Sequence, residues 1–518
     1  MEVKKDWLSG VLKVLLCFSF VYLWVMALVY VKKSYCGIPG AAVFLIAALL
    51  DGILVWCVWK KKKLKSDQTT TIKKENICLL CASLVLLALQ FVVIWNAVFR
   101  TAWDPGAVWY GAHFVEMGDQ DGINSMGYYF SVYPNNLLLV WIYSIVLKLN
   151  DVIGTPIANG TMLLALFQCI FVTGAGACLY KTVRHFADQK IAWIAYGFYF
   201  ILGGLSAWIM IPYSDSFLFW LYVKLKETES AKKKCVLLFL MFFLCYIGFE
   251  IKPMAAIVVI AIVAVEGIHF AGRLLKKQSV WKKSLLAYCL AAVLGLGAAA
   301  GGVSAVVGSM HFPVVTDTVL GWQHHMMLGL NKDTNGGYSQ ADFDYSTSFS
   351  SAEEQHAAEL KEIGKRLKDF GIGGYLQHFV KKSARNYFDG CFGWGGLGET
   401  FYTEIFPERG TVLCSLIRSL YYDNTEDTLY RYQALFRQIL WYMVLVLVPF
   451  SVFTKRPLDK KRQVAVLSVL GLMLYLQIFE AHARYLYTFV PIFVFLATEG
   501  IDNLREYLNQ KSERRVKK

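Results

Sequence analysis

Seven ionisable side chains stand at the ends of apolar blocks rather than inside them: Asp104, Asp215, Glu250, Lys252, Glu480, His482 and Arg484. Charges at membrane level are costly and tend to mark function. Each one singly also admits a plainer reading, as an anchor holding a helix end at the interface. Together the set predicts a chemistry. A carboxylate can take the proton from an attacking hydroxyl, and cations can hold a leaving phosphate as negative charge builds on it. Asp104 suits the first role and Lys252 with Arg484 the second. His482, two residues before Arg484, is placed to assist. Apolar helices beside such a set would supply the groove for a lipid tail, so the expected reaction is transfer from a lipid-phosphate sugar donor.

The stretch around Asp104, WDPGAVWYGAHFVEMGDQDGINSMGYYFSVYPNN over residues 103–136, is a long polar interlude between apolar blocks. It carries Glu116 and closes on Tyr133-Pro134-Asn135-Asn136. We expect it to form the acceptor side of the site. Glu116, Tyr133, Asn135 and Asn136 would line it, joined by Asp215 and by His324 and His325 from a later segment. Trp103, Trp109, Tyr128, Tyr129 and Tyr133 could stack on sugar faces, although aromatic belts at interfaces explain such residues equally well. Asp119-Gln120-Asp121 and Asp342-Phe343-Asp344 have the spacing that holds a metal in nucleotide-sugar enzymes, but paired acids arise readily by chance. Adjacent histidines point apart on a helix, so His324 and His325 predict no shared ion. No metal and no cofactor is expected.

These residues need a frame. The 518-residue chain is 56% hydrophobic with 17% charged residues, and its apolar residues come in blocks. A helix crosses the bilayer with about 20 such residues, and the sequence offers about twelve blocks of that kind. Barrel strands would alternate instead. The prediction is an all-α polytopic membrane protein whose partner is the lipid bilayer. A net charge of +14 invites nucleic acid. The basic residues, however, sit in short loops as the positive-inside rule requires, so no nucleic-acid partner is expected. The twelve cysteines lie mostly within apolar blocks, where a thiol packs as a small hydrophobe. Cys78 and Cys81 are separated by two leucines inside a helix, and no disulfide framework is implied. The first apolar block is too long for a cleavable signal peptide and lacks a cleavage site.

Basic clusters at 60–74, 181–190, 455–462 and the C-terminal tail orient the chain. Both termini then lie in the cytoplasm and Asp104 on the extracytoplasmic face. The span limits expected are 11–31, 41–59, 77–98, 159–180, 191–211, a short one after Asp215, then three between 231 and 307, and three after 437. Residues 137–149 read as an interfacial helix. The predicted division is a hairpin and basic loop at 1–75, a core at 76–310 with its first outer loop at 99–157, an extracytoplasmic loop domain at 311–437, and terminal helices at 438–518. In that loop domain Ser351 to Glu354 form a capping box. Ala357, Leu360, Ile363, Leu367 and Phe370 follow on one helical face, Gly371 acts as a stop, and a second amphipathic stretch covers 375–388.

Three features in this order resemble the GT-C superfamily of membrane glycosyltransferases, especially bacterial relatives of protein O-mannosyltransferases and of the lipid A aminoarabinose transferase. They are Trp103-Asp104-Pro105-Gly106 leading to Tyr133-Pro134-Asn135-Asn136, then Lys252-Pro253, then Arg484-Tyr485 with Pro491. The resemblance covers about residues 76–310 in layout, with the Arg484 motif as a separate match. It implies a GT-C-like bundle with interfacial helices and a mostly helical extracytoplasmic loop domain. It also implies Asp104 as catalytic base, Lys252 and Arg484 on the donor phosphate, and inversion at the anomeric carbon. The implied donor is a polyprenyl-phosphate-linked sugar and the acceptor a glycan, lipid or protein. The sequence departs from the family where Pro105 replaces a second acid and where a hairpin precedes the usual first span. A flippase or transporter of polyprenyl-linked glycans is the main alternative. It would call for mid-span charges and discontinuous helices, and the spans read as nearly free of charge. A polysaccharide polymerase or ligase using a diphosphate-linked donor is a further alternative, and more arginine would be expected in its outer loop.

Overall fold

The computed structural model describes residues 6–60, 68–153, 160–213, 228–276, 283–395, 404–405, 410–422 and 429–516. The first helices are α1 (Trp7–Val29), α2 (Gly40–Lys60), α3 (Gln68–Ala97), α4 (Asp104–Met117), α5 (Gln120–Ser125), α6 (Gly127–Val132), α7 (Leu137–Ile153), α8 (Gly160–Phe186) and α9 (Gln189–Tyr199). Next come α10 (Ala231–Ile251), α11 (Ala256–Leu275), α12 (Lys283–Gly308), α13 (Trp322–Gly329), α14 (Gln340–Thr347) and α15 (Ala352–Tyr387). The last are α16 (Val412–Tyr421), α17 (Tyr430–Leu447), α18 (Lys460–Ile478), α19 (Arg484–Tyr487) and α20 (Val490–Val516). Strand pairing among the described residues amounts to Phe99–Arg100 antiparallel to Glu404–Ile405.

Among the described residues nine helices are long and apolar enough to cross a membrane. The chain is an all-α polytopic membrane protein. Helix α1 shows why such segments fold as they do. Asp6 caps it by accepting from the Ser9 amide at 3.3 Å. Leu8, Leu12, Leu16, Phe20, Leu23 and Ala27 recur at helical spacing and are buried, while Val14, Phe18 and Val25 on the other side are exposed. An outward apolar face is what lipid contact requires. Helix α20 lies at the centre, with Val490, Phe493, Val494, Phe495, Ala497 and Ile501 fully buried. It passes so close to the end of α17 that a Cβ on Gly500 would stand 2.2 Å from the Leu447 carbonyl oxygen.

The expected span at 191–211 is broken. Helix α9 runs into a wide turn at Phe200–Gly204 and then a tight one at Ala207–Met210. The carbonyls freed by the break are met: Arg437 donates to those of Ile201 and Leu205, Gln90 to Gly204 at 2.7 Å, and Tyr487 to Gly203 at 3.0 Å. Irregular backbone at membrane depth survives only when satisfied in this way. The expected sixth span lies outside the described residues. Helix α20 carries Glu499, Asp502 and Arg505 along its length and is not among the nine. Among the described residues two spans hold an acid well inside the helix: Glu266 in α11, which meets Lys460, and Asp51 in α2, which is buried.

Side chains tie two groups of loops together. At one end of the bundle, Lys13 donates to the Thr454 and Arg456 carbonyls at 2.7 Å, Lys460 meets Glu266 at 2.8 Å, and Arg505 pairs with Asp188. The other group contains Asp104, Lys252 and Arg484. A helical segment packs onto it, since Lys382 of α15 donates to the Gly329, Gln477 and Phe479 carbonyls at 2.8–2.9 Å. Ser351 caps α15 as expected, accepting from the Glu354 amide at 3.3 Å. Gly371 breaks α15 as expected, non-helical with φ 57°, although a second helical stretch resumes after the kink. The predicted apolar face is also rotated: Ile363 is buried, yet Leu360 and Leu367 are exposed while Gln355 and Glu359 are buried. The cause is polar. Arg366 turns inward to grip Asp342 at 2.7 Å and the Met327 carbonyl at 2.8 Å, and this network sets the roll of the helix.

Candidate active site

Asp104 is the first residue of α4, followed by Pro105, whose fixed φ and missing N–H suit that position. A Cβ on Gly106 would lie 2.0 Å from the Thr101 carbonyl oxygen, so only glycine lets the chain fold back this tightly before the helix. The N-cap position belongs to Trp103, which makes no side-chain cap bond, and the Asp104 carboxylate is turned elsewhere. It accepts instead from two phenols, Tyr129 at 2.9 Å on one oxygen and Tyr213 at 3.4 Å on the other. Asn136 completes the ring, donating to the Tyr129 oxygen at 2.8 Å and accepting from Tyr213 at 3.4 Å. Burial, and after it the Asp104 charge, raises both phenols above their ordinary range, so they stay protonated donors. Asp104 itself is half-buried and remains open on one side.

Tyr213 leads from the carboxylate to the cations. Its ring stands 5.3 Å from the Arg484 guanidinium, which also lies 4.5 Å from the Trp103 ring and 5.3 Å from that of Trp208. Three aromatic walls favour a cation electrostatically. The break after α9 is what brings Trp208 and Tyr213 here, because a continuous helix would carry them along its axis instead. Arg484 is 6% exposed, and neither Nε nor Nη1 has a hydrogen-bond partner among the described residues. A buried guanidinium in that condition calls for an anion. Lys252 caps the end of α10 with Pro253 behind it, is buried, and lies 5.3 Å from the Tyr485 ring. Burial first, and the nearby Arg484 charge second, depress its ammonium. His482 accepts from the Arg484 amide through Nδ1 at 3.1 Å, which places the proton of the neutral ring on Nε2. Burial and the charges of Arg484, Arg385 and Lys252 hold this imidazole neutral.

Glu480 adds a second carboxylate, accepting from Tyr485 at 3.1 Å. It and Asp104 both act on Tyr133 and on His325. A cavity of about 450 Å³ lies beside the Asp104 turn, lined by Thr101, Pro105, Gly106, Trp109, Thr161 and Pro212 among others.

Of the predicted residues, the fold therefore brings together Asp104, Lys252, His482, Arg484, Tyr133, Asn136 and His325. Asn135 adjoins them, donating to Asn136 at 3.4 Å. Two others stand apart from this cluster. Glu116 stands three turns along α4 from Asp104 and pairs with His113 at 3.2 Å. His324 points into the α13–α15 segment, where it meets Ser346 at 2.7 Å and is 1% exposed. Its neighbour His325 faces the other way, as the helical spacing implied. Asp215 lies outside the described residues. Three of the four paired acids have structural partners: Asp119 caps α5 through the Gly122 amide, Asp342 pairs with Arg366, and Asp344 accepts from Gln340, while Asp121 is exposed. Among the described residues no cluster of histidines, cysteines and acids could hold a metal. The roles of Tyr129, Tyr213 and Trp208 were missed, because interfacial aromatics read as a belt. The signal for Tyr213 was its place directly after Pro212 at a span end.

A family described as a conserved hypothetical integral membrane protein matches residues 1–503. The chain belongs to that family. No curated protein and no solved structure matches it. The description speaks of membrane integration and says nothing of glycosyl transfer, which therefore rests on the site alone.

Proposed function

We propose that the chain is a glycosyltransferase that moves a sugar from a polyprenyl-phosphate-linked donor to an acceptor hydroxyl on a cell-surface glycan, lipid or protein. The observation that carries this reading is Tyr213, which joins a half-open carboxylate to a buried, under-bonded guanidinium. Asp104 takes the proton of the acceptor hydroxyl as its oxygen attacks the anomeric carbon. The bond from that carbon to the phosphate oxygen breaks, and its electron pair leaves with the phosphate. Arg484 and Lys252 meet the charge that develops there. A single displacement inverts the anomeric centre. His482, neutral with its proton on Nε2, adds a hydrogen-bond donor without another charge.

The loops gathered at the Lys13 end hold the basic clusters at 181–190 and 455–462. By the positive-inside rule that end is cytoplasmic and the Asp104 site faces the opposite side. Two observations favour a transporter of polyprenyl-linked glycans as the second reading: the mid-span Asp51 and the broken helix after α9. The carbonyls of that break are taken up by protein side chains, which leaves less of it to line a substrate path.

The deciding experiment is lipid extraction from cells lacking the chain, with impermeant periodate applied to intact cells beforehand. Donor that accumulates and is oxidised from outside supports the transferase. Lipid-linked sugar that accumulates but is protected from periodate supports the transporter and ends the transferase reading.

A further inference from the structure

Asp51 sits near the middle of α2, a span of 21 residues, and is 4% exposed. Neither of its carboxyl oxygens has a hydrogen-bond partner among the described residues. It lines a cavity of about 490 Å³ whose other walls include Trp24, Phe44, Trp56, Phe450 and Leu504. The lining is otherwise apolar. The indole N–H of Trp24 is already used, donating to the Leu445 carbonyl at 3.1 Å, so that ring offers only its faces. Gly52 leaves the cavity open, since a Cβ there would meet nothing within 4 Å. Trp56 lines the cavity and is also 49% exposed on the outside of the bundle, so the opening reaches the lipid.

A space of this size is in the range that encloses a small amphiphile. Its one ionisable group is an acid at the middle of the α2 span. A cationic ligand would require that both the carboxylate and the cation be stripped of water, and their attraction often fails to recover that cost. An alcohol brings a donor and an acceptor to the carboxyl without a charge, and its alkyl chain matches the aromatic walls. We propose that this cavity binds an uncharged long-chain alcohol dissolved in the membrane, its hydroxyl on Asp51. None of the residues lining it belongs to the Asp104 cluster, so the site stands apart from the proposed transfer reaction.

Equilibrium binding of tritiated hexadecan-1-ol to the purified full-length chain in detergent tests this. Expected is saturable binding that unlabelled hexadecanol displaces and hexadecane does not. Asp51→Leu should weaken it by about tenfold or more, the scale of a lost buried hydrogen bond. Asp51→Asn should retain it, because the amide also donates and accepts. Gly52→Leu, which fills the cavity and leaves Asp51 in place, should abolish it. The proposal is overturned by absence of saturable binding, by an Asp51→Leu variant that binds as the parent does, or by equal competition from hexadecane. Displacement by hexadecyltrimethylammonium at lower concentration than by hexadecanol would also overturn it, showing a cation site instead.

Discussion

Asp104 owes its position to two phenols from outside its own helix. Sequence alone allowed it to be an anchor at a helix end, but its carboxylate turns to Tyr129 and Tyr213. Arg484 is placed by the same logic, held by ring faces that leave its hydrogen-bonding edge unspent. If that edge meets the donor phosphate, Arg484→Ala and Lys252→Ala should each weaken donor binding by roughly 1.5–3 kcal/mol, the value of a hydrogen bond to a charged group. Arg484→Lys should recover little, because an ammonium lacks the planar fork and the stacking. Titration of the purified variants with a polyprenyl-phosphate sugar reads this directly. Unchanged affinity in both alanine variants would leave the two cations as helix-end anchors. Residue types and spacing at span ends were enough to single out Asp104, Lys252, His482 and Arg484, which the fold gathers. They could not find Tyr213 or Trp208, whose roles depend on a helix break that no proline or charge announces.

At the scale of elements, the α13–α15 segment shows where periodicity stops being informative. The capping box and the kink glycine were legible. The face that packs was not, because Arg366 and Asp342 pair inside the segment and turn Glu359 and Gln355 inward with them. His324 belongs to this interior. Burial first, then the neighbouring His325, holds its ring down at about 3, with Asp342 pulling the other way. The unfolded chain binds that proton near pH 6.5. Between about pH 6.5 and 3 the unfolded state therefore carries a proton that the folded one lacks. The stability this ring contributes at neutral pH is lost as pH falls through that window, by about 2 kcal/mol at pH 5, and the loss levels off below about 3. Hydrogen exchange of residues 311–395 against pH should show protection falling with this slope, and His324→Asn should flatten it. A variant whose pH dependence matches the parent would remove His324 from the account.

For the whole molecule, block hydrophobicity and the placement of basic loops sufficed for an all-α polytopic membrane protein, and the family match over residues 1–503 agrees. The same pattern gave the sidedness of the proposed site, which impermeant thiol labelling tests in a cysteine-free background. Ser66→Cys should react only after the cells are opened, and Gln340→Cys in intact cells. The reverse pattern would put the Asp104 cluster in the cytoplasm, away from a translocated donor. What length and apolarity could not convey was the break after α9 or the buried acid in α2. Both sit in stretches apolar enough to pass as ordinary spans.

Asp104 serves as the general base in the proposed transfer, and turnover by the purified Asp104→Asn protein decides that role. The amide keeps the shape, its oxygen accepting from one phenol while its NH2 donates to the oxygen of the other, so folding and donor binding should be unchanged. Its basicity is gone, so transfer to the acceptor should fall by roughly 10²-fold or more. Near-normal turnover by Asp104→Asn, with donor affinity intact, would contradict the account.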